Sequence, residues 1–307
     1  MVKKKTSSHK PKIGTFIDPL TDFGFKHIFG SEPSKELLTS FLNEILKGHK
    51  VITDLTYNKN EYTGPRVKSR RMIFDLTCTG QNGEQFIIEV QRIHQPYFRD
   101  RAVYYTSRLI HDQAPKGGKW DYSLKEVYFI GLMDSALEDS DPKKFLHRVR
   151  LSYEGSGKEF FKKLGFIFIE IPKFTKTENE LNSGMDKWLY VLKNLSRLQK
   201  IPVILDDRIF SKLFNIAAVS NLTKEDFMKY EKDLMAEWDE YAYKKALEDE
   251  KKALEHERKA LLEKSIVKKN YEFVTNLLLA DKFTIAEISN FANVSEAFVR
   301  KVKKELK

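Results

Sequence analysis

The sequence predicts an α/β fold, a mixed β-sheet flanked by helices, with an all-helical C-terminal extension. Three observations carry this expectation. Residues 71–91, RMIFDLTCTGQNGEQFIIEVQ, read as a β-hairpin, because two β-prone runs flank a polar Gly-Gln-Asn-Gly turn. A helical stretch over 97–112 then precedes the apolar run 125–133, so this next strand joins the sheet through a crossover, which requires a parallel pairing. Beyond Thr223 the composition shifts to Lys, Glu, Ala and Leu.

Taken in order, the chain opens on MVKKKTSSHKPK, which has no apolar h-region and is expected to be a basic disordered tail over 1–14 rather than a secretory signal. Asp18-Pro-Leu-Thr-Asp22 punctuates the entry, and Phe23, Phe25, Ile28 and Phe29 anchor a short helix or turn that carries Lys26. Ser34 is expected to cap a helix over 35–47, stopped by Gly48, with Leu38, Phe41, Leu42 and Ile45 facing a sheet. Residues 51–57 read as the first strand and 58–70 as a polar loop ending in the basic cluster Arg66, Lys68, Arg70 and Arg71. On the helix over 97–112, Phe98, Ala102, Tyr105 and Leu109 form the core stripe and Arg99, Arg101 and Arg108 lie off it. Strands over 145–153 and 166–171 complete the sheet. A helix over 178–199 closes an α/β domain at 15–202, near the Pro202 break, and a short helix over 206–219 follows.

The remainder reads as a helical linker over 203–270 and a helix-turn-helix-like segment over 271–307. Within the linker, Leu247, Leu254 and Leu261 recur seven apart, yet no second apolar position completes a seam, so a solvated helix is expected rather than a coiled coil. In the last segment Thr284 and Ser295 cap successive helices, and the final one ends in Arg300, Lys301, Lys303 and Lys304.

Inside the hairpin, alternation puts Ile73, Asp75 and Thr77 on one face of the first strand and Met72, Phe74, Leu76 and Cys78 on the other. A two-residue turn would send Glu89 to the far side of the sheet from Asp75. A three-residue turn, Gln81-Asn82-Gly83 with Gly83 left-handed, pairs Gly80 with Glu84 and sets Asp75 opposite Glu89, and this register is the expected one. Opposed residues have Cβ atoms about 5 Å apart. Two carboxylates there repel unless a cation lies between them, and a hard divalent ion suits carboxylate and carbonyl oxygens. The spacing leaves open the alternative of a wet polar face with no ion.

Asp75 in one strand and Glu89-Val90-Gln91 in the next, followed by a helix, resembles the PD-(D/E)XK nuclease superfamily, with Gln91 where Lys usually stands. Asp22-Phe-Gly-Phe-Lys-His-Ile-Phe-Gly30, Phe41-Leu-Asn-Glu-Ile-Leu46, Ile88-Glu-Val-Gln91 and Arg101-Ala-Val-Tyr-Tyr105 are similar, in order and spacing, to the PD-(D/E)XK nuclease family transposases, or recombination-promoting nucleases, over residues 15–175. The resemblance implies a restriction-endonuclease-like mixed sheet and a metal-dependent DNA endonuclease of recombination or transposition, using Mg2+ with Mn2+ as the alternative ion. It makes Asp75, Glu89 and the carbonyl of Val90 the metal ligands, and Gln91 the third motif position. A lysine there holds water and offsets phosphate charge, whereas an amide orients water without adding charge. That departure sustains a rival reading, a catalytically weak or inactive DNA-binding scaffold, and RNA is a lesser substrate alternative. Lys26, Lys68, Arg70, Arg101, Arg300 and Lys301 are the expected DNA contacts; Glu36 and Glu44 are further candidate metal ligands from the first helix, with solvent favoured for both.

Composition agrees with this reading. A formal net charge of +10 and pI near 9.3 favour an anionic partner, of which nucleic acid is the commonest. No apolar run is long enough to span a membrane. The single Cys78 excludes an internal disulfide, fits a reducing cytoplasm, and reads as a small buried hydrophobe. No His/Cys zinc spacing, phosphate-binding glycine loop or Ser-His-Asp arrangement is visible. A homodimer remains open.

Overall fold

A computed structural model describes residues 13–62, 72–92, 95–115, 117, 120–137 and 139–306. The expected tail to residue 12 and the basic cluster Arg66, Lys68, Arg70 and Arg71 lie outside the described residues. The chain divides into two compact units, residues 1–238 and 239–307.

The first unit begins with α1 (Asp22–Phe29), capped by Thr21 Oγ1, which accepts from Gly24 N at 2.9 Å. A Cβ at Gly24 would lie 1.9 Å from the Asp18 carbonyl oxygen, so only glycine permits this approach. In α2 (Lys35–Ile45) the helical spacing buries Leu37, Leu38, Phe41, Leu42 and Ile45. The expected Ser34 cap is corrected: Ser34 sits in a 3-10 turn and its hydroxyl donates to Ser31 O at 3.0 Å. The first strand is shorter than expected, β1 (Leu55–Tyr57), because the Asn43 side chain takes both the N–H and the C=O of Ile52, at 2.7 and 2.8 Å. A two-stranded antiparallel ribbon, β2 (Glu61–Tyr62) with β3 (Met72–Ile73), was not foreseen.

Then follow β4 (Leu76–Gly80), β5 (Gln85–Gln91), α3 (Phe98–His111), β6 (Val127–Met133), β7 (Leu146–Ser152) and β8 (Glu159–Glu170). The sheet order is β1-β4-β5-β6-β8-β7. β5 pairs with β6, and β6 with β8, in parallel; the other pairings are antiparallel. This is the expected mixed sheet flanked by helices, a restriction-endonuclease-like α/β fold. β6 is buried along its whole length, as a central strand covered on both faces must be. β8 starts well before the expected residue 166, extending an exposed hairpin with β7.

Two cores form, one on each side of the sheet. On one face Leu76, Cys78, Phe86, Ile88, Ile130 and Ile169 meet the apolar stripes of α1, α2, α4 (Gly184–Asn194) and α5 (Arg208–Ala217). On the other, Ile87, Phe129 and Phe168 meet Phe98, Ala102 and Leu109 of α3. The helix expected over 178–199 is cut to α4, because Ser183 and Asp186 form a capping box that starts it. Packing continues past Pro202: α5 contributes Phe210, Leu213 and Phe214 to the first core, and Tyr230 of α6 (Lys224–Leu279) is buried there, so the α/β unit reaches Trp238.

In the second unit Leu247, Leu254 and Leu261 are exposed on α6, as the incomplete heptad seam implies. Beyond them Val274 packs with Ile288 and Ala292 of α7 (Ile285–Ala292) and Val299 and Val302 of α8 (Glu296–Glu305). Thr284 and Ser295 cap α7 and α8 as expected. Among the described residues no helix is long and apolar enough to cross a membrane.

Candidate active site

The hairpin register is the three-residue-turn one. Thr79 faces Gln85 and Leu76 faces Ile88, which sets Gly80 opposite Glu84 and Asp75 opposite Glu89. Gly80 N donates to Glu84 O at 2.8 Å, Gly83 N to Gly80 O at 3.0 Å, and Gly83 has φ +86°. Glu84 is itself buried and fixes the turn, accepting from Asn82 N at 3.0 Å and from Lys50 Nζ at 2.7 Å. Burial works against its charged form, but Lys50 and Asn82 hold the carboxyl down at about 2.

β4 starts only at Leu76, because Asn60 bends the chain before it. Phe74 N donates to Asn60 O at 2.8 Å, Thr77 N to Asn60 Oδ1 at 2.9 Å, and Asn60 Nδ2 to Asp75 O at 3.1 Å. The bend turns Phe74 onto the α3 side, against Ile87 and edge-on to Tyr105 with ring centroids 4.8 Å apart. This corrects the expectation that Phe74 shares a face with Leu76 and Cys78, which stay in the opposite core. Cys78 is fully buried, and burial pushes its thiol up to about 12, so it packs as a hydrophobe.

Where β4 stops, side chains take over the ladder. Val90 N donates to Asp75 Oδ2 at 2.7 Å and Asp75 N donates to Glu89 Oε1 at 3.1 Å. Glu84 O serves β4 and Gln91 O accepts from Asp134 N beyond β6, so by alternation the N–H and C=O of Val90 both face the gap that β4 leaves. Glu89 is buried and Asp75 half-buried. Burial raises both carboxyls, the Asp75 charge raises Glu89 further, and Asp22 adds to Asp75, while Lys26 and Arg101 pull both down. Crowded acids with raised proton affinity are the donor set that a hard cation relieves, and Asp75, Glu89 and the Val90 carbonyl suit one. Among the described residues no group of three or more His, Cys, Asp or Glu side chains is gathered as a metal site.

Gln91 is buried beside them and accepts a short hydrogen bond from Arg101 Nη2. The Arg101 Nη2 atom lies 3.9 Å from Glu89 Oε2, and its Nη1 donates to Gln95 Oε1 at 2.8 Å. Lys26 pairs with Asp22 at 2.5 Å on α1; Lys26 pulls both carboxyls down, and Asp22 raises Asp75. Asp22 is thus the nearby acid from a helix, an i,i+4 partner of Lys26 that could have been read from the Asp22-Phe-Gly-Phe-Lys26 run. Glu36 pairs with Arg208 and Lys212, at 2.8 and 2.6 Å, and Glu44 lies against Gly184, both side chains staying part-exposed. Arg300 pairs with Glu296 at 3.1 Å, and it and Lys301 are exposed on α8 in the second unit. Lys68 and Arg70 fall outside the described residues.

Two features escaped the sequence reading. Arg92, next after Gln91, lies 3.0 Å from Asp18 Oδ2, 2.6 Å from Glu237 Oε2 and 3.9 Å from Asp134 Oδ2, tying α6 to the end of β5. A cleft of about 380 Å³, lined by Gln91, Gln95, Phe98, Met133 and Ser135 among others, opens beside the site.

A mixed six-stranded sheet in this order, flanked by helices, defines the class as a restriction-endonuclease-like α/β fold. The family model for PD-(D/E)XK nuclease family transposases matches residues 19–247 of the 307, and the chain belongs to that family. Comparison with curated proteins and with solved structures gives no match.

Proposed function

We propose that the chain is a divalent-metal-dependent DNA endonuclease that hydrolyses phosphodiester bonds in recombination or transposition. The observation that carries the reading is the opposition of Asp75 and Glu89 across the hairpin, with the Val90 peptide turned toward the same gap. These three would hold Mg2+ or Mn2+, and such an ion, when bound, supplies charge neutralisation at the phosphate and a more acidic water. The chain's own groups do the rest. The backbone N–H groups of Asp75 and Val90 aim the two carboxylates, and burial keeps competing water from them. Gln91, whose Oε1 accepts from Arg101, stands beside the acidic pair, where its amide would help to orient the attacking water or a phosphate oxygen. Lys26 and Arg101 at the site, Lys68 and Arg70 in the stretch of sequence before it, and Arg300 and Lys301 on α8 would contact the nucleic-acid backbone, which sets affinity rather than sequence.

The test is nicking of supercoiled plasmid by purified protein in Mg2+. Asp75→Ala and Glu89→Ala are expected to abolish it, and parental rates in either variant would overturn the mechanism. The neutral Gln91 favours a second reading, a DNA-binding scaffold of low activity that has kept the fold. Tight DNA binding by the parent with no metal-dependent cutting of DNA or RNA would select that one.

A further inference from the structure

The hairpin that β7 makes with β8 runs on past the end of the sheet, and its free end contributes to neither core. β8 pairs with β6 only from Leu164 onward; before that it pairs with β7 alone, Leu151 facing Phe161 and Ser152 facing Glu159. Register shifts on both sides of Leu151 add local twist. A glycine turn closes the ribbon, with Tyr153 N donating to Lys158 O at 2.8 Å, Gly157 N to Tyr153 O at 3.1 Å, and Gly155 and Gly157 both at positive φ. Residues 151–160 are all exposed.

Two properties coincide on this free end. Residues 143–163 hold seven Lys or Arg against two Glu, a formal +5 out of the chain's +10. Some of that charge is tied inward: Arg148 Nη2 donates to Ile45 O at 2.7 Å and Lys163 Nζ to Leu124 O at 2.8 Å. Lys158 and Lys162 are exposed and have no ion-pair partner among the described residues. Beside them Tyr153 and Phe160, 53% and 63% exposed, meet edge to face with ring centroids 5.4 Å apart. Apolar rings held in water mark a surface that meets a partner, and the excess of positive charge calls for an anionic one. A second copy of the chain would bring the same +5 against it.

The shape selects among polyanions. The major groove of B-form DNA, about 12 Å wide, admits a two-stranded β-ribbon and offers thymine methyl groups to apolar side chains, whereas the major groove of A-form RNA is too narrow and deep to enter. We propose that the free end of the β7–β8 ribbon is a separate DNA-binding element that enters the major groove of a B-form duplex, Lys158 and Lys162 reaching phosphates and the Tyr153–Phe160 pair meeting the groove floor. It lies well away from the acidic pair. Glu89, Gly131 and Phe168 share one row of the sheet, and from Phe168 back to Glu159 an extended strand covers about 30 Å. The assignment needs the chain to bind DNA, and it does not depend on a metal or on cutting.

The experiment is fluorescence anisotropy of the full-length protein in EDTA on a labelled DNA duplex and on duplex RNA of the same sequence. The parent should bind the DNA about tenfold tighter or more, the scale of one groove contact, and equal affinities overturn the proposal without any variant. Lys158→Ala/Lys162→Ala should lower the slope of log Kd against log salt by about two, which at 0.1 M salt is a loss of roughly 10–100-fold in affinity. Tyr153→Ser/Phe160→Ser should weaken binding by about tenfold at every salt concentration with the slope unchanged, because taking rings out of water releases no counterions. A parental slope in the lysine variant overturns the proposal. So does a parent that sediments as a dimer and becomes monomeric in Tyr153→Ser/Phe160→Ser, which would make this face an interface between copies. Plasmid nicking by a protein whose ribbon variants bind as the parent does overturns the ribbon and leaves the endonuclease reading; the stated binding changes in a protein that does not cut do the reverse.

Discussion

Glu89→Gln should make the metal-free protein more stable while removing the proposed cutting activity. The substitution keeps the shape and the acceptor that Asp75 N uses at 3.1 Å, and removes one of two like charges facing each other across the hairpin. For charges about 5 Å apart at an effective dielectric of about 20, the repulsion removed is about 3 kcal/mol. Arg101 at 3.9 Å from Glu89 Oε2 loses some attraction in the variant, so the net gain is about 1–2 kcal/mol. For a chain of this size that corresponds to a melting temperature higher by about 2–6 °C. The pH dependence has a definite sign. Both folded carboxyls are raised, so the folded state holds its protons more tightly than the unfolded chain does, and parental stability falls as pH rises toward the folded values. The advantage of Glu89→Gln therefore grows with pH. The assay is thermal unfolding in EDTA at pH 6 and pH 9, repeated with Mg2+, which should stabilise the parent and not the variant. A variant that melts at or below the parent in EDTA at the higher pH would refute the repulsion on which the site is built.

At the Arg92 cluster, burial and the neighbouring Asp18, Asp233 and Asp134 raise the Glu237 carboxyl to about 8 against the pull of Arg92. Stability should thus decline between pH 4.5 and about 8 and flatten in Glu237→Gln; screening at this partly open site limits the effect to about 1–2 kcal/mol, read by urea unfolding across that range. Gly131→Val would push against Phe98 at 3.0 Å and Phe168 at 3.2 Å, costing about 1–3 kcal/mol and slowing plasmid nicking by shifting α3 and Arg101. Arg300→Ala with Lys301→Ala should weaken duplex binding uniformly across sequences and lower the salt slope by about two, measured by anisotropy.

Much of the local structure was legible. The turn chemistry of Gln81-Asn82-Gly83 gave the hairpin parity, and with it the opposition of Asp75 and Glu89. The crossover through 97–112 gave the parallel pairing of β5 with β6. Thr284 and Ser295 gave the boundaries of α7 and α8. What misled the reading were side chains that hydrogen-bond to distant backbone. Asn43 shortened β1, and Asn60 broke the first hairpin strand at Phe74 and turned that ring to the other core. Neither asparagine has a local pattern that announces its partner.

The sequence by itself determined the alternation of the strands, the parity of the turn and the acidic and amide positions of the motif, because these follow from interactions within a few residues along the chain. The tertiary structure alone decided that Asp22 and Lys26 act on Asp75, that Arg92 gathers Asp18, Asp134 and Glu237, and that Arg101 donates to Gln91. Those meetings depend on how α1, α3 and α6 seat on the sheet, which is set by burying Phe25, Phe98 and Tyr230 in the two cores, and no spacing along the chain encodes it.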